Sequence, residues 1–298
     1  MGHSGIDSVP EGRGLLSRSP LPTRHWATTW AVGDYVCTLL VALAARHIDH
    51  LPPHQRAIGP QLHDQSISYP HVPNREAICP SYYLYPIALD IPLVLLALLA
   101  LLAPPPQAAR GGLRHRLLLL SQLWLGLLSS LAAVLFIVCA IKVSVGRLRP
   151  DFLARCVPRD GVCTGDAHDV LEGRKSFPSG HTAVSFAGLG YLSLCLGSRL
   201  AIVHTPRAGT LWKYVVALAP WLGALLVGLS RIADYWHHWE DVLCGALLGH
   251  ACAYALYRLR FPPLGDPWPL ALASISEASA FVGKRSPPDV EAMPEMTL

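Results

Sequence analysis

The stretch LLLLSQLWLGLLSSLAAVLFIVCAI, residues Leu117–Ile141, runs for 25 positions without a charged residue. An α-helix needs about 20 apolar residues to cross a bilayer, so this run is long enough. Its apolar residues do not alternate with polar ones, and in lipid only a structure that satisfies its own backbone hydrogen bonds is stable. The run therefore predicts a transmembrane helix.

Five further apolar segments lie on either side of this run. They are Trp26–His47, Tyr82–Ala103, Thr182–Leu196, Trp212–Leu229 and Val242–Leu259. Asp34 interrupts the first, and the fourth is short and begins with polar residues. The whole chain is 52% hydrophobic and 15% charged, whereas soluble domains carry about 25% charged residues. The sequence predicts an all-α, polytopic membrane protein built as a bundle of six transmembrane helices.

The two ends of the chain are polar. Residues 1–25 are rich in Gly, Pro and Ser, and residues 261–298 include FPPLGDPWP and KRSPPDVEAMPE. Such segments bury too little apolar surface to fold, so we expect both to be disordered and residues 26–260 to form one membrane domain. The positive-inside rule favours cytosolic termini, although the loops on the opposite side are basic too. The formal net charge is +4, with no basic run that indicates nucleic-acid binding.

The cysteines leave one question open. Cys156 and Cys163, in CVPRDGVC, would close a short disulfide loop if they face an oxidising compartment. The sequence does not decide between this pairing and two free thiols. No C-x-x-C pair occurs, which disfavours a thiolate zinc site.

Three polar stretches stand at the ends of predicted spans. KVSVGRLRP (142–150) ends the third span, KSFPSGHTA (175–183) begins the fourth, and SRIADYWHHWED (230–241) joins the fifth to the sixth. Consecutive spans run in opposite directions, so all three stretches fall on the same side of the membrane. We therefore expect their side chains to form one site. The loop at about 48–81 either covers this site or shapes the access of lipid to it, and the sequence does not assign its residues.

The residue types in these stretches suit a phosphate group. Lys142, Arg149 and Arg231 supply positive charge, and guanidinium groups match phosphate oxygens geometrically. Ser179 and Gly180 precede a predicted helix, and backbone N–H groups at the start of a helix bind anions. The sequence thus predicts an anion pocket.

His181, His237 and Asp241 add reactive groups to this pocket. His237 and Asp241 are four residues apart, so on a helix they lie on one face. The carboxylate then orients one ring nitrogen and leaves the other free to act as a nucleophile. His238, three residues before Asp241, competes for this role. We interpret Arg147 as a peripheral charge rather than a ligand, and Trp236 as part of an aromatic belt.

The three stretches resemble the signature motifs of the type 2 phosphatidic acid phosphatase superfamily, also called lipid phosphate phosphatases. Six residues separate Lys142 from Arg149, and PSGH occupies 178–181. Five residues separate Arg231 from His237, and three separate His237 from Asp241. RCVPRDGVCTGD and EGRKSFPSGH further resemble the branch that acts on phosphatidate and diacylglycerol pyrophosphate.

The resemblance implies a role for each motif residue. His237 attacks phosphorus to form a phosphohistidine, Asp241 fixes its tautomer, and His181 protonates the leaving oxygen and then activates water. The phosphoryl oxygens are held by Lys142, Arg149, Ser179, Gly180 and Arg231. No metal or other cofactor is implied, because these groups stabilise the developing charge.

The resemblance as a whole implies a multi-pass membrane phosphatase whose site opens on the non-cytosolic face. Its substrate is a lipid phosphate, with phosphatidate and diacylglycerol pyrophosphate the leading candidates. An isoprenoid diphosphate phosphatase is an alternative, since the same pocket serves a different lipid tail. A catalytically silent lipid-binding membrane protein is a second alternative, which the complete set of motif residues disfavours. The preferred lipid, the organelle and the oligomeric state stay open.

Overall fold

The computed structural model describes residues 25–58, 62–102, 112–200, 202–203 and 211–264. The two polar ends for which we expected disorder, 1–25 and 261–298, lie outside these residues except for His25 and residues 261–264. The described helices are α1 (His25–Asp49), α2 (Ser81–Tyr85), α3 (Ile91–Leu102), α4 (Gly112–Val145), α5 (Phe152–Cys156), α6 (Ala167–Glu172), α7 (Gly180–Arg199), α8 (Leu211–Ala233) and α9 (Trp239–Arg258).

Smaller elements connect these helices. A π-helical turn, Pro86–Asp90, makes α2 continuous with α3. A two-stranded antiparallel sheet pairs β1 (Pro158–Arg159) with β2 (Val162–Cys163), and a short 3-10 turn spans Gln65–Ile67. The structure joins Cys156 to Cys163 in a disulfide. That bond closes the loop that contains the small sheet.

Three helical segments in the described residues are long and apolar enough to cross a membrane: Ser81–Leu102, Arg116–Val145 and Leu211–Ala233. They match the second, third and fifth predicted spans. The first, fourth and sixth predicted spans form α1, α7 and α9, which fall short of the same standard of length and apolarity. The described residues therefore confirm a mostly helical protein with three candidate spans, fewer than the six predicted.

The position of α7 explains its low apolarity. It packs against α4, α8 and α9, and most of its side chains are buried by protein, including Thr182, Ser185 and Gly188. Helices that contact other helices favour small and weakly polar residues, which allow close approach. An apolar surface for lipid is needed only on the outer helices.

Apolar side chains cover the outer faces of those helices. On α1, Val36, Leu39, Leu40 and Leu43 are each more than half exposed, and their three- and four-residue spacing puts them on one face. Soluble proteins rarely expose large apolar patches. This face of α1 suits contact with lipid tails.

Two glycines let α9 lie directly against α7. A Cβ at Gly245 would come within 2.6 Å of the Ser179 carbonyl oxygen, and a Cβ at Gly249 would overlap the Ala183 carbonyl oxygen. Small residues at a helix interface allow such backbone contact. The first turns of α7 and α9 are thereby held side by side.

We expect Gly249→Val to destabilise the protein. The new side chain would begin 2.8 Å from Cβ of Phe186 and 3.0 Å from the backbone nitrogen of Ala187, so α7 and α9 would have to separate. Overpacking of this kind costs about 1–3 kcal/mol. The measurement is the thermal unfolding midpoint of the detergent-solubilised protein, which should fall.

The matched control is Gly223→Ala on α8. Its new Cβ would lie 3.6 Å from Cδ1 of Leu189, an ordinary van der Waals contact, and Ala favours helix over Gly. Its midpoint should stay level or rise. An undiminished midpoint in Gly249→Val would contradict the close packing of α7 on α9.

Candidate active site

The three polar stretches come together at one end of the helices. His181 lies in the first turn of α7, and the charges that act on its ring are those of Arg231, His237, Lys142 and Arg149. Lys142 reaches the same point from the end of α4, because its Nζ would lie 3.4 Å from a Cβ placed on Gly180. Groups from all three stretches thus surround one small space.

The start of α7 is fixed by Ser179. Its buried hydroxyl accepts hydrogen bonds from the Thr182 N–H at 3.4 Å and the Thr182 hydroxyl at 2.8 Å. Its own N–H donates to the Asp241 carbonyl oxygen at 2.9 Å. We expected this N–H to face an anion, and for this donor the expectation is wrong, because it ties α7 to α9 instead. The hydroxyl of Ser179 and the N–H of Gly180 stay candidates for anion binding.

The carboxylate of Asp241 is buried among donors. Oδ2 accepts hydrogen bonds from the Ser176 hydroxyl at 2.6 Å and the His238 N–H at 3.0 Å. Oδ1 accepts one from Nη1 of Arg147 at 2.7 Å. Nδ1 of His237 lies 3.8 Å from Oδ2, which is ion-pair range and longer than a hydrogen bond. The carboxylate is therefore fixed by its other partners and faces the His237 ring.

Arg147 has a place that the sequence interpretation missed. We took it for a peripheral charge, but its guanidinium binds Asp241 and also lies 3.6 Å from Oε2 of Glu240. It orients the Asp241 carboxylate. The contact joins residues 94 positions apart, so no local spacing pattern indicates it.

The His238 ring lies nearer to the Asp241 carboxylate than the His237 ring does, but both of its nitrogens have hydrogen-bond partners. Its Nδ1 lies 3.3 Å from Oδ2 of Asp241, and its Nε2 lies 3.2 Å from the Ser66 carbonyl oxygen. A ring whose Nε2–H donates to a backbone carbonyl does not offer that nitrogen as a nucleophile. The geometry favours His237, which is only 2% exposed.

Trp236 is surrounded by three guanidinium groups. Their Cζ atoms lie 4.8 Å (Arg149), 5.0 Å (Arg155) and 5.6 Å (Arg231) from the ring centroid. The indole N–H donates to the Val72 carbonyl oxygen at 3.0 Å. We interpreted Trp236 as part of an aromatic belt; here it packs against cations of the site through cation–π contacts.

Two of these cations keep donors that no described residue accepts. Arg231 is fully buried and its Nη2 binds Asp234 at 2.7 Å, while its Nη1 has no partner among the described residues. Nη2 of Arg149 binds Glu172 at 3.3 Å, while its Nε and Nη1 likewise find no acceptor there. Buried donors without partners are costly, and an anion between them would remove the cost.

His237 and Asp241 have their pKa values lowered, so the ring is neutral and the carboxylate is ionised. Burial lowers the pKa of His237 to about 3, against the opposing effect of Asp241. Burial alone would raise the pKa of Asp241, but the facing groups of His237, His238 and Ser176 lower it by more, well below its usual range. A neutral imidazole beside an ionised carboxylate is the arrangement that a histidine nucleophile needs.

The loop between α1 and α2 packs over this site. The His54 N–H donates to the Val143 carbonyl oxygen at 2.8 Å, and the Tyr69 N–H donates to that of Pro150 at 3.0 Å. Tyr69 also stacks on Tyr235, with ring centroids 4.8 Å apart. The described part of the loop thus lies against two of the three stretches.

One cluster outside this site has the ligand types of a metal centre. Asp166, His168 and Asp169 place ligand atoms within 4.8 Å of one another. The carboxylate of Asp166, however, accepts the N–H groups of His168 and Asp169 at the start of α6. These contacts account for the cluster as a helix cap.

Comparison with known proteins identifies related chains. Residues 123–263, which include every predicted site residue, match the family model of the PAP2 superfamily. A Saccharomyces cerevisiae protein named diacylglycerol pyrophosphate phosphatase 1 is 34% identical over 252 residues, covering 80% of this chain and 83% of that protein. A Schizosaccharomyces pombe protein named probable diacylglycerol pyrophosphate phosphatase 1 is 37% identical over 255 residues, covering 81% and 85%.

A plant relative is more similar over a shorter range. The Arabidopsis thaliana protein named lipid phosphate phosphatase 2 is 47% identical over 154 residues, which cover 48% of this chain and 52% of that protein. The chain thus aligns with about half the length of this relative. No solved structure matches the chain.

We expect the His237 ring to stay neutral well below the usual titration range of histidine. Its lowered pKa, about 3, means that the neutral form persists as pH falls from 7 to 4, whereas an unperturbed imidazole protonates near 6.5. The measurement is a ¹⁵N NMR titration of histidine-labelled protein in detergent. His237→Gln assigns the signal. Protonation of that ring near pH 6.5 would contradict the burial of His237.

Proposed function

We propose a function from one premise: this chain belongs to the PAP2 superfamily. The protein is a phosphatase, and its substrates are lipid phosphates. The observation that carries this proposal is the position of the His237 ring, whose Nδ1 lies 3.8 Å from Oδ2 of the buried Asp241 carboxylate, with His181 and three cations around the same space. The alternative of a silent lipid-binding protein does not account for that arrangement.

The cations bind the phosphoryl group in this proposal. Arg149 and Arg231 offer guanidinium donors that are buried and unpartnered among the described residues, and Lys142 adds a third positive charge. The Ser179 hydroxyl and the Gly180 N–H complete the set at the start of α7. Fixed donors of this kind stabilise the charge of a phosphoryl transfer state without having to reorganise.

The reaction then has two steps. Nε2 of His237 attacks phosphorus, the bond to the leaving oxygen breaks, and His181 gives a proton to that oxygen. Burial and the neighbouring cations lower the pKa of His181 well below its usual range in the empty site, so this proton arrives with the phosphoryl group as its monoanion and passes to the His181 ring. Asp241 stabilises the positive charge that develops on the His237 ring. In the second step His181 takes a proton from water, the water oxygen attacks the phosphohistidine, and inorganic phosphate leaves with His237 neutral again. The chain's own cations supply the electrostatic stabilisation, so we propose no metal.

The helices that cross the membrane determine which side of it the site faces. We propose that α1, α7 and α9 join the three candidate spans in one six-helix membrane domain, residues 26–260, with polar cytosolic ends at 1–25 and 261–298. The disulfide of Cys156 with Cys163 lies in the loop that carries part of the site. Disulfides persist in oxidising compartments, which supports a site on the non-cytosolic face.

The substrate class follows from the relatives' names. We propose phosphatidate and diacylglycerol pyrophosphate, whose phosphoryl groups lie at the headgroup level while the acyl chains stay in the bilayer. A lipid presented this way reaches the site without leaving the membrane.

We expect His237→Ala to abolish phosphate release, because the proposed reaction forms its phosphoenzyme on the His237 ring. The measurement is phosphate release by purified protein with EDTA, on phosphatidate, diacylglycerol pyrophosphate and farnesyl diphosphate. His168→Ala, which removes a ring that is 82% exposed, is the control and should keep full activity. Wild-type rates in His237→Ala would end the proposal, and a strong preference for farnesyl diphosphate would favour the isoprenoid alternative.

We expect Arg147→Gln to lower kcat by about 10- to 100-fold while KM changes little, because a catalytic group displaced by about 1 Å loses rate on this scale. Arg147 holds Asp241 and lies away from the phosphoryl group. Steady-state kinetics on phosphatidate give both constants, and Arg159→Gln, in the exposed strand β1, is the control. A rise in KM with unchanged kcat would instead show that Arg147 binds substrate.

A further inference from the structure

Glu172 places a carboxylate among the cations of the proposed phosphate site. Its Oε2 lies 3.3 Å from Nη2 of Arg149, and its Oε1 lies 3.3 Å from Nζ of Lys175. The charge of Lys142 also acts on it. One acidic side chain thus faces two of the three cations that the proposed function assigns to the phosphoryl group.

This carboxylate is an anion under all physiological conditions. Partial burial would raise the pKa of Glu172, but Arg149, Lys142 and Lys175 lower it by more, to about 2. Negative charge at this position therefore offsets part of the positive charge of the site. A phosphoryl group and the Glu172 carboxylate would both accept hydrogen bonds from the same donors.

Hydrogen bonds hold the backbone of Glu172, whereas its side chain is held by its ion pairs with Arg149 and Lys175. Glu172 ends α6, where the Arg149 N–H donates to the Gly173 carbonyl oxygen at 2.8 Å and the Lys175 N–H donates to the Glu172 carbonyl oxygen at 3.1 Å. The Glu172 side chain is 33% exposed. It lines a cavity of about 250 Å³ together with Arg155 and other polar residues. The carboxylate therefore has space to turn away while the chain around it stays in place.

Lys175 would keep a partner if the carboxylate left. Its Nζ donates to the Asp49 carbonyl oxygen at 2.7 Å and lies 3.8 Å from the Asp49 carboxylate. All three guanidinium nitrogens of Arg149 would then lack a partner among the described residues, in place of the present two, Nε and Nη1. The group released by a moving Glu172 is thus the guanidinium that the proposed function gives to phosphate.

We propose that Glu172 is a built-in competitor of the phosphoryl group. Its carboxylate occupies Arg149 when the site is empty of substrate, and the incoming phosphoryl group displaces it. Glu172 thereby sets the affinity of the site for anions and lets inorganic phosphate leave after turnover. This inference rests on the proposed function, since it takes Arg149 as a phosphate ligand.

A purely structural role for Glu172 predicts the opposite sign. If the carboxylate only held Arg149 in position, its removal would let the guanidinium move and phosphate would bind more weakly. If it competes, its removal frees the guanidinium and phosphate binds more tightly. The direction of the change therefore separates the two roles.

The test measures inorganic phosphate on the purified full chain in detergent. Calorimetry gives the Kd, and inhibition of phosphatidate hydrolysis gives the inhibition constant. In Glu172→Gln we expect both constants to fall about tenfold, the scale of one lost charge-assisted contact, and the KM for phosphatidate to fall without a rise in kcat. Glu172→Ala should change these constants in the same direction, and it replaces Glu172→Gln in the test if that variant does not fold.

Asp169→Asn is the matched control. Asp169 lies on the same short helix and also lines the cavity, but its carboxylate is 49% exposed and its ion pair is with His168. Its constants should stay within about twofold of wild type. Weaker or unchanged phosphate binding in folded Glu172 variants would overturn the inference alone. A wild-type protein that neither binds nor releases phosphate would overturn the proposed function as well.

Discussion

The buried carboxylate of Asp241 is the interaction on which the site depends. Its two oxygens accept hydrogen bonds from Ser176, Arg147 and the His238 backbone, and its own carbonyl oxygen receives the Ser179 N–H. These partners come from all three polar stretches of the sequence. A fully buried carboxylate is stable only if its hydrogen bonds are satisfied, so the loops must meet at this point for α9 to begin here. The need to satisfy one buried charge thus brings His181 and His237 together.

The guanidinium groups of the site are also buried, but their hydrogen bonds are only partly satisfied. Arg231 is fully buried and pairs with Asp234, while Arg149 pairs with Glu172, and the Trp236 ring lies near both guanidinium groups. Each guanidinium keeps at least one buried donor without a described partner. The donors are therefore held in place by contacts on one side and remain available on the other. This is electrostatic preorganisation: the cost of ordering the charges falls on folding and not on the reaction.

The sequence predicted the grouping of the motif residues because span direction and residue spacing are local properties. The apolar run Leu117–Ile141 is a helix for the same reason. The features that the sequence did not predict depend on contacts between segments that are distant along the chain. Hydropathy does not say that α7 is surrounded by other helices, so six spans were predicted where three meet the standard of length and apolarity in the described residues. The contacts of Arg147 with Asp241 and of Trp236 with the guanidinium groups likewise join residues that no short pattern connects.

Two carboxylates beside the site differ in one physical respect, and that difference decides what each can do. The Asp241 side chain is fully buried and accepts hydrogen bonds from Ser176, Arg147 and the His238 N–H, whereas the Glu172 side chain is 33% exposed and borders a cavity. Moving Asp241 would leave an unpaired charge in the interior, which costs several kcal/mol. Moving Glu172 breaks its ion pairs with Arg149 and Lys175, but it returns a carboxylate that is already partly exposed to water, and the incoming anion then pairs with Arg149. The first carboxylate is therefore fixed in place to orient a histidine, and the second can yield to an anion with more charge.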